Sequence, residues 1–251
     1  MRGIGLQLYS VREATEKDFL GTVRKVADLG YEAVQFAGFF GKSARQVKQV
    51  MDEKNIRVAG SHTSLDLLRG DKLKETILYN QEIDNNLIIC PYLPEEKRES
   101  IDSYRRTAEE LNSIGHVCNE NGMVFAYHNH NFEFETFDGS TGFDLLFENT
   151  DPKVVKIELD CFWVIHAGYS PAAIMNKYGN RVVSLHMKDM KEIEGRKRSI
   201  EIGKGILDMN SLLATAKEHH VDWLVVEQED FDLEPMESAK INLDNLKELL
   251  N

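Results

Sequence analysis

The stretch V-F-A-Y-H-N-H-N-F-E at 124–133 begins as a buried strand and turns polar within a few residues. Its first residues are apolar at consecutive positions, which is typical of a strand covered on both faces. His128 and His130 follow where the apolar run stops. Histidine is a common metal ligand and titrates near neutral pH, so this pair indicates a metal or proton-transfer site. A core histidine followed by a loop histidine is the alternative.

The rest of the chain repeats the order of a strand followed by a helix. The predicted strands lie at 4–9, 31–36, 56–62, 86–90, 123–128, 154–159, 182–187 and 223–226. The predicted helices lie at 16–29, 43–54, 71–83, 95–119, 142–148, 171–179, 209–219 and 235–250, and the polar segment 188–205 is predicted to be a loop. Strands that alternate with helices predict parallel pairing, and eight such units in about 250 residues predict an α/β fold, a single (β/α)8 TIM barrel domain spanning 1–251. A doubly wound open sheet is the competitor, but the first turn, at 9–13, lacks its glycine-rich fingerprint.

The composition favours a soluble globular protein and disfavours two kinds of partner. The net charge of −12 argues against nucleic acid, because phosphate binding needs clustered Lys and Arg. No apolar run approaches the roughly 18 residues of a membrane helix, and the N-terminus lacks an apolar signal core. Cys90, Cys118 and Cys161 lack the C-x-x-C spacing and are typical of buried thiols in a reducing compartment. We therefore expect a cytoplasmic protein with no nucleic-acid partner and no membrane partner.

Polar residues stand at the end of every predicted strand. They are, in chain order, Gln7 and Tyr9, Gln35, His62, Tyr92, His128 and His130, Glu158 and Asp160, His186 and Lys188, and Glu227 and Glu229. In a (β/α)8 barrel the catalytic residues lie at the C-terminal ends of the strands. Each of these residues alone is compatible with a structural role, but their joint placement at one end predicts a shared polar site.

Four of these residues form the predicted metal site. They are His128, Asp160, His186 and Glu227, which come from four consecutive strands. Two imidazoles and two carboxylates suit Mn²⁺, Zn²⁺, Co²⁺ or Fe²⁺ better than Ca²⁺, and Mg²⁺ is a further candidate. An open coordination position would let such an ion polarise a carbonyl oxygen of the substrate. The structural alternatives are a capping role for Asp160 and a backbone-bonded core imidazole for His186.

Six sequence motifs run in order over nearly the whole chain. They are G-L-Q-L-Y-S-V-R at 5–12, Y-H-N-H-N-F-E-F at 127–134, I-E-L-D-C-F-W at 157–163, S-L-H-M-K-D-M at 184–190, I-G-K-G-I-L-D at 202–208 and V-V-E-Q at 225–228. The chain thereby resembles the sugar phosphate isomerase/epimerase family of xylose-isomerase-like TIM barrels. The resemblance implies one divalent metal ion, commonly held by Glu, Asp, His and Glu from strands five to eight, and a sugar substrate. It also implies a possible homo-oligomer, because many members of the family associate.

Asp160, His186 and Glu227 match this ligand pattern, whereas His128 stands where the family has its first glutamate. Glu133 lies a few residues further on and is a possible substitute ligand. The resemblance implies an isomerase or epimerase that acts on a keto sugar or related polyol ketone through an enediolate intermediate. Because two metal-bound glutamates form the acid/base pair of the epimerases, the histidine also leaves open a lyase or dehydratase of a keto sugar, keto-glycoside or inosose.

The same strand ends supply the remaining candidate residues. The candidate catalytic residues are Glu227, Glu158, His130, His62 and Lys188. The candidate substrate-binding residues are Gln7, Tyr9, Gln35, Tyr92 and Trp163, although ordinary barrel packing explains the aromatic ones equally well. An apurinic-site endonuclease, which shares this barrel, is disfavoured by the negative charge, and a non-catalytic sugar-binding barrel is disfavoured by the polar strand ends.

Overall fold

A closed barrel of eight parallel strands forms the centre of the computed structural model, which describes residues 2–251. The strands are β1 (Gly3–Gln7), β2 (Ala33–Ala37), β3 (Arg57–His62), β4 (Leu87–Cys90), β5 (Val124–His128), β6 (Val155–Asp160), β7 (Val182–Met187) and β8 (Trp223–Val226). Each strand pairs with the next along the chain, and β8 closes the barrel on β1. The predicted (β/α)8 fold is therefore confirmed, and each predicted strand ends within two residues of the observed bounds.

Helices cover the outside of the barrel with their apolar faces turned inward. They are α1 (Arg12–Lys17), α2 (Phe19–Asp28), α3 (Ala44–Lys54), α4 (Gly70–Glu82), α5 (Ile101–Glu120), α6 (Gly142–Glu148), α7 (Cys161–His166), α8 (Pro171–Tyr178), α9 (Met209–Glu218) and α10 (Pro235–Leu250). In α5, for example, Leu111, Ile114 and Cys118 are buried at helical spacing. None of the helices within residues 2–251 combines the length and the apolar character needed to cross a membrane.

Capping residues explain where the helix predictions were wrong. The helix predicted at 16–29 is two helices, because the backbone of Asp18 leaves the helical region and its carboxylate accepts the N–H of Gly21 to begin α2. The helix predicted from 95 begins at Ile101, where the hydroxyl of Ser100 caps it. The short helix α7 was not predicted, and it begins directly after Asp160.

The segment predicted as a loop at 188–205 is mostly a β-hairpin. Asp189–Ile193 pairs antiparallel with Arg196–Ile200 through a two-residue turn. Glu194 and Gly195 form this turn with φ values of 53° and 75°, and positive φ at both positions is what a tight hairpin turn requires. The sequence of this segment is strongly polar and therefore lacks the alternating pattern of a strand. The glycine in the turn was the available indication of a hairpin.

The residues that point into the barrel are apolar near the N-terminal ends of the strands and polar near the C-terminal ends. The buried apolar cluster inside the barrel consists of Ala33, Ala59, Leu87, Ile89, Ala126, Trp223 and Val225. Two residues further along three of these strands stand Gln35, His128 and Glu227. Because alternate residues of a strand share a face, the same face supplies the apolar floor and the polar site above it.

The strand register brings the polar residues to one level of the barrel. His128 on β5 lies opposite Glu158 on β6, and Asp160 on β6 lies opposite His186 on β7. The predicted convergence of these strand ends is therefore a consequence of barrel closure and register.

Candidate active site

A cleft of about 480 Å³ opens at the C-terminal ends of the strands. The functional candidates among its lining residues are Tyr9, His62, Tyr92, His128, His130, Glu227 and Glu229. A cavity of about 520 Å³ at the opposite end of the barrel, around Arg57 and Trp223, lies away from these residues. The chemistry of the cleft therefore marks it as the candidate active site.

Glu158 lies at the bottom of this site and organises the imidazoles above it. Its Oε1 atom is 2.7 Å from Nε2 of His62, 3.1 Å from Nδ1 of His128 and 3.1 Å from Nε2 of His186. Its Oε2 atom accepts a hydrogen bond of 2.6 Å from the amide of Gln35. Burial alone would raise the pKa of Glu158, but the imidazoles of His186, His128 and His62 hold it well below its usual range. Glu158 is thus a buried carboxylate with both oxygens engaged.

The second imidazole nitrogens of His128 and His186 point toward Asp160. Nε2 of His128 lies 3.8 Å and Nδ1 of His186 lies 3.9 Å from Oδ2 of Asp160. Nδ1 of His186 is also 3.0 Å from Oε2 of Glu227. Burial lowers the pKa of His128 well below its usual value, whereas the carboxylates of Glu158 and Glu227 overcome the burial of His186 and raise its pKa to about 10.

Asp160 performs two roles through its two oxygen atoms. Oδ1 accepts the N–H of Trp163 at 2.9 Å and thereby caps α7, as the structural alternative expected. Oδ2 is buried and accepts no hydrogen bond from any group within residues 2–251. A buried acceptor without a hydrogen bond is costly, and this one faces two imidazole nitrogens, a further carboxylate and, at 3.0 Å, the ammonium group of Lys188.

This arrangement fits a divalent metal ion. Donor atoms of Asp160, His186 and Glu227 all lie within 4.8 Å of one another, and Nε2 of His128 faces the same oxygen of Asp160. Histidine ligands of metals usually direct their other ring nitrogen to a carboxylate or carbonyl. Glu158 is this partner for His128, and Nε2 of His186 is hydrogen-bonded to the amide oxygen of Gln35 at 2.7 Å beside Glu158. A second group of possible donors consists of His62, His128, Glu158 and His186. The carboxylate of Glu158, at its centre, is already hydrogen-bonded on both oxygens.

Lys188 places a positive charge between the carboxylates of the site. Its Nζ lies 3.0 Å from Oδ2 of Asp160, 2.7 Å from Glu227 and 2.6 Å from Glu229. Only 1% of the residue is exposed. Burial opposes the charge on this lysine, but the three carboxylates raise its pKa well above the usual value.

His130 belongs to an aromatic wall of the cleft. Its ring stacks on Phe132 at 5.4 Å and lies 5.8 Å from Tyr92 and 5.9 Å from Trp163. Its Nδ1 is buried and has no hydrogen-bond partner among the described residues 2–251. Burial and the charge of Lys188 lower the pKa of His130 to about 4, so this imidazole is neutral at pH 7.

The remaining predicted residues fall into three places. Tyr9 and Tyr92 are each 48% exposed at the cleft. Gln7 and Gln35 lie beneath it, where the amide of Gln7 donates to Gln35 at 2.6 Å. Glu133, the possible substitute ligand, is buried outside both donor groups.

The carboxylate of Glu133 is engaged by its neighbours. It accepts a short hydrogen bond from the hydroxyl of Tyr127 and one of 2.8 Å from the N–H of His130.

Glu229 is the functional candidate for which the sequence indicated no role beyond its strand-end position. Its place two residues after Glu227, on the same face, was the available signal.

The comparisons with known proteins agree with this fold. The model of the Xylose isomerase-like TIM barrel family matches residues 23–249, so the chain belongs to that family. A protein of Clostridium beijerinckii named inosose dehydratase is 22% identical over 250 residues, which cover 85% of this chain and 83% of that protein.

Two solved structures illustrate the structural likeness. A sugar phosphate isomerase/epimerase from Parabacteroides distasonis superposes with a TM-score of 0.83 at 22% identity, covering 100% of this chain and 96% of that one. D-psicose 3-epimerase from Clostridium cellulolyticum, solved with D-tagatose, superposes with a TM-score of 0.72 at 16% identity, with 99% of each chain covered. At these identities the two structures support the fold.

Proposed function

We propose that the protein is a divalent-metal-dependent enzyme that removes the proton beside the carbonyl group of a keto polyol and eliminates water from it. The observation that carries the proposal is the buried Oδ2 of Asp160, which accepts no hydrogen bond, faces nitrogen atoms of His128 and His186 and lies 3.0 Å from the ammonium group of Lys188. One relative, matched over 83% of its length, is named inosose dehydratase. This name supports a cyclic keto polyol as the substrate class.

His128, Asp160, His186 and Glu227 would hold the ion. When bound, a divalent ion supplies Lewis-acid polarisation of the carbonyl oxygen, which makes the neighbouring C–H more acidic. Glu158 positions His128 through a hydrogen bond and lies 3.1 Å from His186, whose Nε2 is hydrogen-bonded to the amide oxygen of Gln35. In this proposal Glu158 therefore supports the ligands and does not itself contact the substrate. This role differs from the catalytic role predicted for Glu158 from the sequence.

Two imidazoles in the cleft can move the protons of a dehydration. His130 lines the cleft and is neutral at pH 7, so its imidazole is free to accept the proton from carbon. His62 also lines the cleft, and its ring centroid lies 5.0 Å from that of His128, a distance close to the 5.1 Å between His130 and His128. Its imidazole can protonate the leaving hydroxyl group. The C–H and C–O bonds break, a C=C bond forms, and the hydroxyl leaves as water.

Dehydration suits the site better than epimerisation by two carboxylates. Such an epimerisation needs an acid/base group on each side of one carbon, and the family places a glutamate of strand five there. Here that position is His128, whose Nδ1 is bonded to Glu158, while the carboxylate of Glu133 is engaged by Tyr127 and His130. Isomerisation and epimerisation begin with the same proton transfer, so the reaction product separates them from dehydration.

Metal analysis of the purified protein tests the proposal first. We expect one bound divalent ion per chain, loss of activity after treatment with a chelator, and loss of the ion in His186→Ala and Glu227→Ala. His219→Ala is the matched control, because His219 is a half-buried histidine outside the cleft that is hydrogen-bonded to Asn176. Bound metal that both site variants retain in full would contradict the proposed site.

The product of the reaction tests the chemistry separately. Inososes, keto sugars and keto-glycosides are incubated with the metal-loaded protein and analysed by mass spectrometry. A product lighter by one water is expected for an inosose. A product of unchanged mass would identify an isomerase or epimerase instead.

A further inference from the structure

Lys188 lies where the positive charge of a metal ion would be expected. Its ammonium group bridges Oδ2 of Asp160 and Oε2 of Glu227, the carboxylates of two proposed metal ligands. The lysine stem is enclosed, with Phe162 and Trp163 5.5 and 5.6 Å from the ammonium group. The positive charge between the carboxylates of Asp160 and Glu227 is therefore supplied by the side chain of Lys188.

The ammonium group and a divalent ion compete for the same oxygen atoms. Oδ2 of Asp160 is the buried acceptor that the proposed ion would use, and Lys188 is its neighbouring cation at 3.0 Å. Two cations that share two oxygens repel each other strongly in a buried site, where water does not screen them. One of them must move when the other binds.

A second position for the ammonium group is already present. Oε1 of Glu229 lies 2.6 Å from Nζ of Lys188, and 34% of the Glu229 side chain is exposed at the cleft. Lysine carries its charge on a flexible four-carbon stem, so a small rotation can release Asp160 and Glu227 while the bond to Glu229 is kept. Glu229 is therefore the partner that can retain the lysine charge after exchange.

We propose that Lys188 is an exchangeable internal cation, which neutralises Asp160 and Glu227 until a divalent ion binds and is then held by Glu229 alone. This inference rests on the proposed metal-dependent function. It deepens that function, because metal loading would leave the ammonium group bonded to Glu229 alone, at the wall of the cleft.

The affinity for Mn²⁺ alone, measured by isothermal titration calorimetry, tests the exchange in four proteins. These are the wild type, Lys188→Met, Glu229→Gln and the double variant. We expect Lys188→Met to bind Mn²⁺ about tenfold more tightly, because the competitor is gone, and Glu229→Gln to bind about fivefold more weakly. In the Lys188→Met background the Glu229→Gln change should have no further effect, because no lysine needs the second position.

Asp232→Asn is the matched control for charge alone. Asp232 is exposed in the same loop, and its carboxylate lies 3.6 Å from Arg198, so this variant removes one negative charge without contacting Lys188. We expect its affinity for Mn²⁺ to equal that of the wild type. Glu229→Gln weakening Mn²⁺ binding by the same factor in both backgrounds would overturn the exchange, because Glu229 would then act only through its charge.

Structures of the wild type with and without Mn²⁺ test the same exchange without a substitution, in case Lys188→Met does not fold. Nζ of Lys188 should leave Asp160 and remain bonded to Glu229 in the loaded protein. A lysine that still bridges Asp160 and Glu227 beside bound Mn²⁺ overturns the exchange and leaves the metal site intact. Absence of Mn²⁺ binding by the wild type overturns both the exchange and the proposed metal dependence.

Discussion

His128 is the residue at which this chain departs most from the ligand pattern of its family. Its Nδ1 is 3.1 Å from Glu158 and its Nε2 is 3.8 Å from Asp160, so one ring connects the buried carboxylate to the proposed ligand set. The alternative ligand on this strand, Glu133, has both oxygens engaged elsewhere. The geometry thus favours His128 as the ligand from strand five.

A pair of substitutions separates these two candidates. We expect His128→Ala to weaken Mn²⁺ binding at least about tenfold, because it removes a donor and a partner of Glu158. Glu133→Gln should leave the affinity unchanged within experimental error. Equilibrium dialysis with Mn²⁺ measures both, and the reverse order of the two effects would assign the ligand to Glu133.

Glu133 should instead affect the pH dependence of stability. Burial raises its pKa to about 7 from 4.5, so the folded protein keeps a proton on this carboxyl group that the unfolded chain has lost above pH 4.5. Where the folded state binds more protons, the free energy of unfolding falls as the pH rises. Glu133 should therefore lower the free energy of unfolding by about 3 kcal/mol as the pH rises. This decrease begins near pH 4.5 and is complete above about pH 7.

Glu133→Gln should remove this loss. The amide resembles the protonated carboxyl group, because it can accept from the N–H of His130 and donate to the hydroxyl of Tyr127. Urea unfolding at pH 5, 6, 7 and 8 should show a flatter pH profile for the variant than for the wild type. Parallel profiles would mean that Glu133 is ionised in the folded protein across this range.

At the scale of elements, the connection from β7 to α9 holds Lys188 in place. Asp189 follows Lys188 and begins the hairpin, and its carboxylate accepts the N–H groups of Gly203, Gly205 and Leu207 at 2.9, 2.9 and 3.0 Å. The I-G-K-G segment therefore wraps around one buried carboxylate. This arrangement assigns the glycines of the segment a structural role, in agreement with the absence of a nucleotide-binding motif in the sequence.

Gly205→Ala tests how tightly this connection is packed. A Cβ atom at this position would collide with Oδ1 of Asp189 and with the backbone carbonyl oxygen of Met190. Overpacking of this kind typically costs about 1–3 kcal/mol of unfolding free energy. Urea unfolding measures the loss, and Lys204→Ala, at the neighbouring exposed position, should change stability little. Equal stability of Gly205→Ala and the wild type would show that the turn can open.

The elements also show what sequence patterns can and cannot predict. The strand ends that carry His128, Asp160, His186 and Glu227 were predictable, because each strand reads as an apolar run that stops at a polar residue. The two strands of the hairpin after Lys188 were not, because charged residues occupy both of them and leave no apolar alternation; only the turn glycine indicated a hairpin.

The contacts between individual side chains could not be predicted from the sequence either. The three imidazoles around Glu158 and the ammonium group on Asp160 depend on rotamers and on strand register, which the order of residues does not encode directly. The sequence therefore predicted which residues meet, and the structure adds which atoms of these residues face one another.

For the whole molecule, the barrel couples its stability to its site. The predicted ligands come from four neighbouring strands, so an ion bound to all of them connects a large part of the closed sheet. An unfolded chain does not hold these four residues together, so a bound ion favours the folded barrel. The thermal stability of the whole chain should therefore report on the site.

We expect Mn²⁺ to raise the melting temperature of the wild type. At a free concentration of about one hundred times Kd, the ion should add about 2.7 kcal/mol to the free energy of unfolding, which corresponds to roughly 5–10 °C for a chain of this size. Differential scanning calorimetry of the apoprotein with increasing Mn²⁺ measures the shift. His186→Asn combined with Glu227→Gln should abolish it, whereas His219→Ala should retain it in full. An equal shift in all three proteins would place the bound Mn²⁺ outside the cleft and remove the physical basis for metal-assisted chemistry at these strand ends.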